Sequence, residues 1–228
     1  MTWVVDKASL GTNQGAGGTA TTIALTTTNP VAAGAWIFVG VSHFNSSATF
    51  SSLANTGAAV IWTNVQLANN GGVRSALIKG QAASGLAAGS VITATYSAAT
   101  NERRICASSF IGGTGVTNNQ VQSTGSTQAW SNSPTILGTD LVVVSASLDT
   151  LSSSTPDANS TELQDFIHTG TSTSILYYRI GGTGVGGTWA NAAAWAAAGG
   201  SFADSAAGAA SDVSGDVHRR AMRSLIIR

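Results

Sequence analysis

Short runs rich in Val, Ile, Thr and aromatic residues recur along this chain, each bounded by clusters of Gly, Asn and Ser such as NQGAGG, NNGG and QAASGLAAG. In the first half they are TATTIALTTT (19–28), AWIFVGVSHF (35–44), AAVIWTNVQL (58–67), VRSALIKG (73–80), SVITATYS (90–97) and RRICASSFI (103–111). The second half continues with DLVVVSASL (140–148), TELQDFIH (161–168), TSILYYRI (173–180), TWANAAAW (188–195) and VHRRAMRSLIIR (217–228). Turn signals at this spacing predict short β-strands joined by tight loops. SVITATY alternates, with Ile92, Ala94 and Tyr96 on one side and Thr93 and Thr95 on the other, which suits a strand covered on one face. AWIFVGV and LVVVSA are apolar at both parities, the pattern of a strand buried on both faces. No segment has a capped 3.6-residue period. Alanine propensity alone suggests a helix in AWAAAGGSFADSAAGAA, and its three glycines and missing apolar stripe argue against one.

The halves resemble one another. Pro30 and Gly34 precede WIFVGV, and Pro134 and Gly138 precede LVVVSA. RRICASSFI and RRAMRSLII share Arg-Arg, a serine and an apolar end; Lys79 before Gly80 matches Arg179 before Gly181. The expectation is an all-β protein: an antiparallel, jelly-roll-like β-sandwich built as two duplicated halves, 1–112 and 113–228. A single interleaved sandwich over 1–228 is the alternative.

Charge changes the picture of the surface. Of 228 residues 43% are hydrophobic and 9% charged, against roughly 25% charged in an average soluble protein. Ten acids balance ten Lys and Arg, so no global field draws nucleic acid or an anionic membrane. A surface of Ser, Thr, Asn, Gly and Ala is weakly protected against association. That points to a chain packed against other protein, with self-association into a homo-oligomer, such as a trimer, in view. The start, MTWVVDKASLG, lacks a basic region followed by an apolar core, so no secretory signal is expected. No run approaches the length of a transmembrane helix. Cys106, the single cysteine, permits no internal disulfide or cysteine metal cluster.

Candidate chemistry is sparse. IGGTGV occurs at Ile111–Val116 and again at Ile180–Val185, where Gly182, Gly184 and Gly187 spell G-x-G-x-x-G. A dinucleotide loop needs a helix behind it and a parallel sheet around it, and the patterning offers neither. Glycines supplying positive φ at strand ends are the expected role. The two copies sit at non-equivalent places in the repeat. No nucleophile elbow occurs, and His43, His168 and His218 are scattered, with His43 expected to make a loop-edge hydrogen bond. Glu102 and Glu162 form no paired-carboxylate motif, and DVSGD (212–216) lacks the rest of a calcium loop. No enzyme activity, metal or cofactor is expected.

Two features remain. Trp36 lies in a doubly apolar strand and is expected in the core. Trp62, Trp130, Trp189 and Trp195 lie in polar contexts; packing beneath loops, sugar stacking and interface anchoring are the open readings, with Trp62, Trp130 and Trp189 as candidate contacts. In the tail HRRAMRSLIIR, read as a strand, Arg219 and Arg223 share a face with Leu225 and Ile227, while Arg220 lies on the other. Arginines so placed can fork onto carboxylates of a neighbouring subunit. Nucleic acid is a poor partner, because too few cations exist to neutralise several phosphates.

The run PVAAGAWIFVGVSHFNSSATFSSLANTGAAVIWTNV resembles a class of β-sandwich proteins encoded by tailed bacteriophages and prophages of high-GC hosts. The likeness rests on the Gly34–Val41 strand, the Asn55-Thr56-Gly57 turn, the Trp62-Thr63 pair and the closing SLIIR. It covers most of the chain, its motifs are structural, and it brings no catalytic residues. The resemblance implies a virion structural role with the major capsid protein or other virion proteins as partners, after assembly in the host cytoplasm. Capsid decoration is the leading expectation. A minor tail or tail-tip protein binding host-surface carbohydrate is the runner-up, and a free carbohydrate-binding or adhesion module the third.

Overall fold

A computed structural model describes residues 2–44, 48–167, 172–182 and 184–204. Its described residues hold fourteen strands and no helix, and every pairing between named strands is antiparallel. The first six are β1 (Val4–Thr26), β2 (Ala35–Phe44), β3 (Phe50–Asn55), β4 (Ile61–Asn70), β5 (Val73–Ala82) and β6 (Val91–Ile111). The remaining eight are β7 (Thr117–Gly125), β8 (Ala129–Asn132), β9 (Leu141–Leu148), β10 (Ser154–Pro156), β11 (Thr161–Ile167), β12 (Thr173–Ile180), β13 (Val185–Trp189) and β14 (Trp195–Phe202).

β1 and β6 are long because each serves two layers. The first arm of β1 pairs with the last arm of β6, from Val4 with Ile111 to Ala16 with Glu102; the other arms pair from Ala20 with Thr100 to Thr26 with Val91. Register breaks at Lys7/Gly11 and Ala16/Ala20 let the pair bend. GTNQGAGG (11–18), read from composition as a loop, therefore lies within β1: glycine permits the bend, and the β6 partner supplies the ladder bonds.

The bend produces a sandwich. One sheet runs β1-β6-β2-β5-β4; the other layer holds the second arms of β1 and β6 with β3. Between them lies a core of Ile37, Val39, Ile78, Ile92 and Ile105. In the second half the five-stranded sheet runs β7-β14-β9-β12-β11, and a smaller sheet runs β8-β13-β10. Counting the arms of β1 and β6 separately, the first half has strands one to eight in two sheets, 1-8-3-6-5 and 2-7-4. β7 to β14, counted the same way, give the same two orders. In the second half the Arg-Arg strand RRICASSFI is thus matched by β14, between β7 and β9, while RRAMRSLII lies outside the described residues.

The two sandwiches pack through their five-stranded sheets. Phe38, Leu77, Phe110, Leu141, Val143, Leu176 and Phe202 form the shared core, with Phe38 against Phe202 at 4.7 Å and Phe110 at 5.6 Å between ring centroids. Serines cross the middle of this apolar seam: the Ser42 and Ser174 hydroxyls meet, and Ser75 Oγ donates to Ser145 O at 2.9 Å. Close approach depends on Gly40, where a Cβ would lie 2.8 Å from Ser145 Oγ and 3.0 Å from Cys106 Sγ.

The described part of the alanine-rich segment forms β14, not a helix, and all of β14 is buried; residues 205–210 lie outside the described residues. It lies between two layers, and its middle admits only small side chains: a Cβ on Gly199 would meet Asn132 Oδ1 at 2.2 Å, and one on Gly200 would meet Val65 Cγ1 at 2.7 Å. The expected strand at 188–195 is divided between the end of β13 and the start of β14 by a turn.

Candidate functional site

Both IGGTGV copies end strands with positive-φ glycines, at φ +110° and +67° for Gly112 and Gly115 and at +72°, +86° and +138° for Gly181, Gly182 and Gly184. The first copy leaves β6 and joins the sandwiches; the second leaves β12. The second copy runs directly into strand β13, so no helix N-terminus faces the G-x-G-x-x-G.

The candidate tryptophans do not converge. Trp130 is 3% exposed, with its indole N–H 3.3 Å from Ser154 Oγ and its ring tilted against Tyr177 and Trp189. Trp189 is fully enclosed, so neither presents a ring face to a ligand. Trp195 is buried in the same core. Trp62, on edge strand β4, is half-buried: one side lies over Gly80, and its N–H reaches Asn55 Oδ1 at 3.2 Å. Trp36 packs at the margin of the shared core, with Lys79 Nζ 5.4 Å from its ring. Arg219, Arg220 and Arg223, together with His168, His218 and DVSGD, lie outside the described residues.

A pocket of about 170 Å³ opens at the end of the first sandwich where β2 finishes, lined by Phe50, Leu67, Ala68, Ala76, His43 and Arg74 among others. Cross-strand register aligns Arg74, His43 and Arg103 in one row across β5, β2 and β6. His43 Nε2 lies 2.9 Å from Ala48 O, the expected loop-edge bond, and Arg74 Nη1 donates to the same carbonyl. Burial holds the imidazole below its ordinary range, the Ala48 bond opposes this, and Arg74 adds to it. His43 is therefore neutral at physiological pH and donates to that carbonyl. These two groups both hold Ala48, and the remaining lining is mostly apolar, suited to an apolar side chain.

The other cations of the first sandwich are also paired, and Arg103, Arg104 and Lys79 are committed inward. Arg103 donates to Ala20 O at 2.8 Å and Thr100 O at 2.6 Å, fixing the β1–β6 bend. Arg104, buried, lies 3.6 Å from Glu102 and 5.1 Å from the Phe44 ring. Lys79 reaches Gly115 O and, at 2.6 Å, Thr117 Oγ1; burial lowers its pKa. Lys7 pairs with Asp6 at 3.2 Å. The Cys106 thiol, buried, is pushed up to about 12 by desolvation, against a weak bond to Gly40 O, and is inert. Among the described residues no group of three or more His, Cys, Asp or Glu could hold a metal ion.

Charge is divided along the chain. Residues 1–112 hold five cations and two acids (Asp6, Glu102), a net +3. Residues 113–204 hold Arg179 against Asp140, Asp149, Asp157, Glu162, Asp165 and Asp204, a net −5. Composition hid this asymmetry because the totals cancel.

Large exposed apolar residues gather at the opposite end from the pocket. Val4, Ile61, Ile111, Val116, Leu137 and Ile180 all lie where β2 and β9 begin, with Ile61 86%, Val116 58% and Leu137 58% exposed. The Lys79 bonds to Gly115 and Thr117 tie both sandwiches together at this rim.

No protein-family model matches the chain, and no curated protein is significantly similar to it.

Proposed function

We propose that this protein is a non-enzymatic structural component of a tailed-phage virion that decorates the capsid and acts through protein–protein contact. The observation that carries the contact role is the apolar rim: six of the eight large exposed hydrophobic side chains among the described residues collect at one end of a charge-poor body. Exposed apolar side chains brought to one end of such a body suit contact with another protein. The inward use of Arg103, Arg104 and Lys79 leaves little cationic surface for phosphates. The matching strand orders support a tandem duplication. The path 1-8-3-6 with 2-7-4 is that of a jelly roll whose fifth strand has moved to the other sheet. The virion assignment itself comes from the resemblance of the strand, turn and Trp-Thr motifs.

Quantitative mass spectrometry of purified particles, separated into heads and tails, tests the assignment. Stoichiometric copies on heads are expected, and Leu137→Asp with Val116→Asp should abolish attachment without unfolding the protein. A few copies on tails, or none on either, would overturn it. Trp62, alone of the three candidate tryptophans in keeping an accessible edge, supports the second reading, a tail protein contacting carbohydrate. In that case glycan binding should be present and Trp62→Ala should remove it.

A further inference from the structure

The strand orders leave one part of the sequence without a place. Each sandwich has eight strand positions, and β14, ending at Phe202, fills the last of the second. Residues 217–228, VHRRAMRSLIIR, are nevertheless patterned like the strand RRICASSFI and carry four arginines and no acid. The segment is a ninth strand-like sequence with net charge +4 beyond a sandwich of net charge −5.

β11 is the edge of that sandwich's five-stranded sheet and, among the described residues, pairs only with β12. Glu162 and Asp165 stand opposite Tyr177 and Ile175, on the face toward the small sheet. A register break between Glu162 and Gln164 brings the two carboxylates onto the same face. Glu162 accepts from the Tyr177 hydroxyl at 3.2 Å, Asp165 Oδ2 accepts from Ser154 N at 3.3 Å, and Asp165 Oδ1 is buried with no hydrogen-bond partner. Neither carboxylate has an ion pair among the described residues. The topologically equivalent edge of the first sandwich, β4, is uncharged and belongs to the half of net charge +3, so it offers the segment no electrostatic complement.

We propose that residues 217–228 of one copy dock as an added antiparallel strand on the β11 edge of a second copy, with Arg219 and Arg223 meeting Glu162 and Asp165. Register favours a second copy over the same chain. The end of β14, the start of β9 and the start of β11 lie at one end of the sheet. An antiparallel partner of β11 must therefore begin at the far end, about 24 Å along and, four strand spacings away, about 19 Å across from Asp204, roughly 31 Å in all. The twelve residues between, SAAGAASDVSGD, have a coil dimension of about 19 Å, so the same-chain route demands an extended linker. A donor and an acceptor on different surfaces make a head-to-tail contact, which builds rings or open chains. The inference does not depend on the virion assignment.

Sedimentation velocity of the full-length protein at low salt, over micromolar concentrations, tests it. Wild type should associate with concentration, more weakly as salt rises. Glu162→Lys alone, and Arg223→Glu alone, should each weaken association about ten-fold, because reversing one charge replaces an attraction by a like-charge repulsion. Combining the two, which in an antiparallel pairing reverses both members of one pair, should restore it in large part, which general misfolding would not do. A wild type that stays monomeric, or association unchanged in both variants, would overturn the proposal.

Discussion

Phe38→Ala asks whether the two sandwiches fold as one body. The Phe38 ring projects from β2 into the shared core, fully buried, against Phe110, Phe202 and, at 6.4 Å, Trp3. Phe110 and Trp3 belong to the first half and Phe202 to the second, so the cavity left by truncation opens onto both. Truncating an enclosed phenylalanine costs about 3–5 kcal/mol, a large share of the roughly 5–15 kcal/mol that holds a typical domain folded. If the seam makes folding cooperative across both halves, global opening becomes about a hundred-fold more frequent or greater everywhere. Hydrogen exchange read by mass spectrometry separates the halves through peptides covering β2 and β9. Equal acceleration in both is the expected outcome. Faster exchange in β2 with β9 unchanged would show that the sandwiches open independently, and the argument from the shared core would fail.

Gly40→Ala should destabilise by about 1–3 kcal/mol, because the new methyl collides with Ser145 Oγ across the seam and with Cys106 Sγ on the neighbouring strand β6. In a Ser145→Gly background the cost should shrink, as chemical denaturation of the four proteins of the double-mutant cycle will read; equal costs would place the strain elsewhere. Asp165→Asn should stabilise the protein at neutral pH. Burial pushes the Asp165 carboxyl up to about 6, the Ser154 N–H opposes this, and Glu162 adds to it. The folded state therefore penalises the ionised form: the penalty is absent below the unfolded pKa of about 4 and grows as pH rises through about 6. The advantage of the asparagine should thus be present near neutrality and vanish at about pH 4, and a pH-independent difference would refute the assignment.

Local chemistry in the sequence was sufficient for the strands themselves. Alternation in SVITATY and double apolarity in LVVVSASL required no partner to be identified, since a pleated backbone puts successive side chains on opposite faces. Gly34 and Gly138, at φ +80° and +61°, mark the entries to β2 and β9, and were legible as matching punctuation in the two halves. The same residues sit at equivalent places in the two strand orders, but the orders themselves come from the pairing, and RRICASSFI is matched in space by β14, a segment whose alanines and glycines look nothing like it.

What only the tertiary structure decided has one common cause, the packing of layer upon layer. Alanine propensity in WAAAGGSF yields to a strand because β14 pairs with β7 and β9 between two layers, where the middle of the strand has room only for alanine and glycine. GTNQGAGG becomes strand because β6 lies alongside it. Trp130 and Trp189, polar in context, are covered by a sheet assembled from distant segments, while Trp62 keeps an open edge. The apolar rim was equally illegible: Val4, Ile61, Val116 and Leu137 are far apart in sequence and come to one end of the molecule only because antiparallel strands bring alternate turns there. Periodicity records which way a side chain points from its own strand; burial depends on what the rest of the chain lays over it.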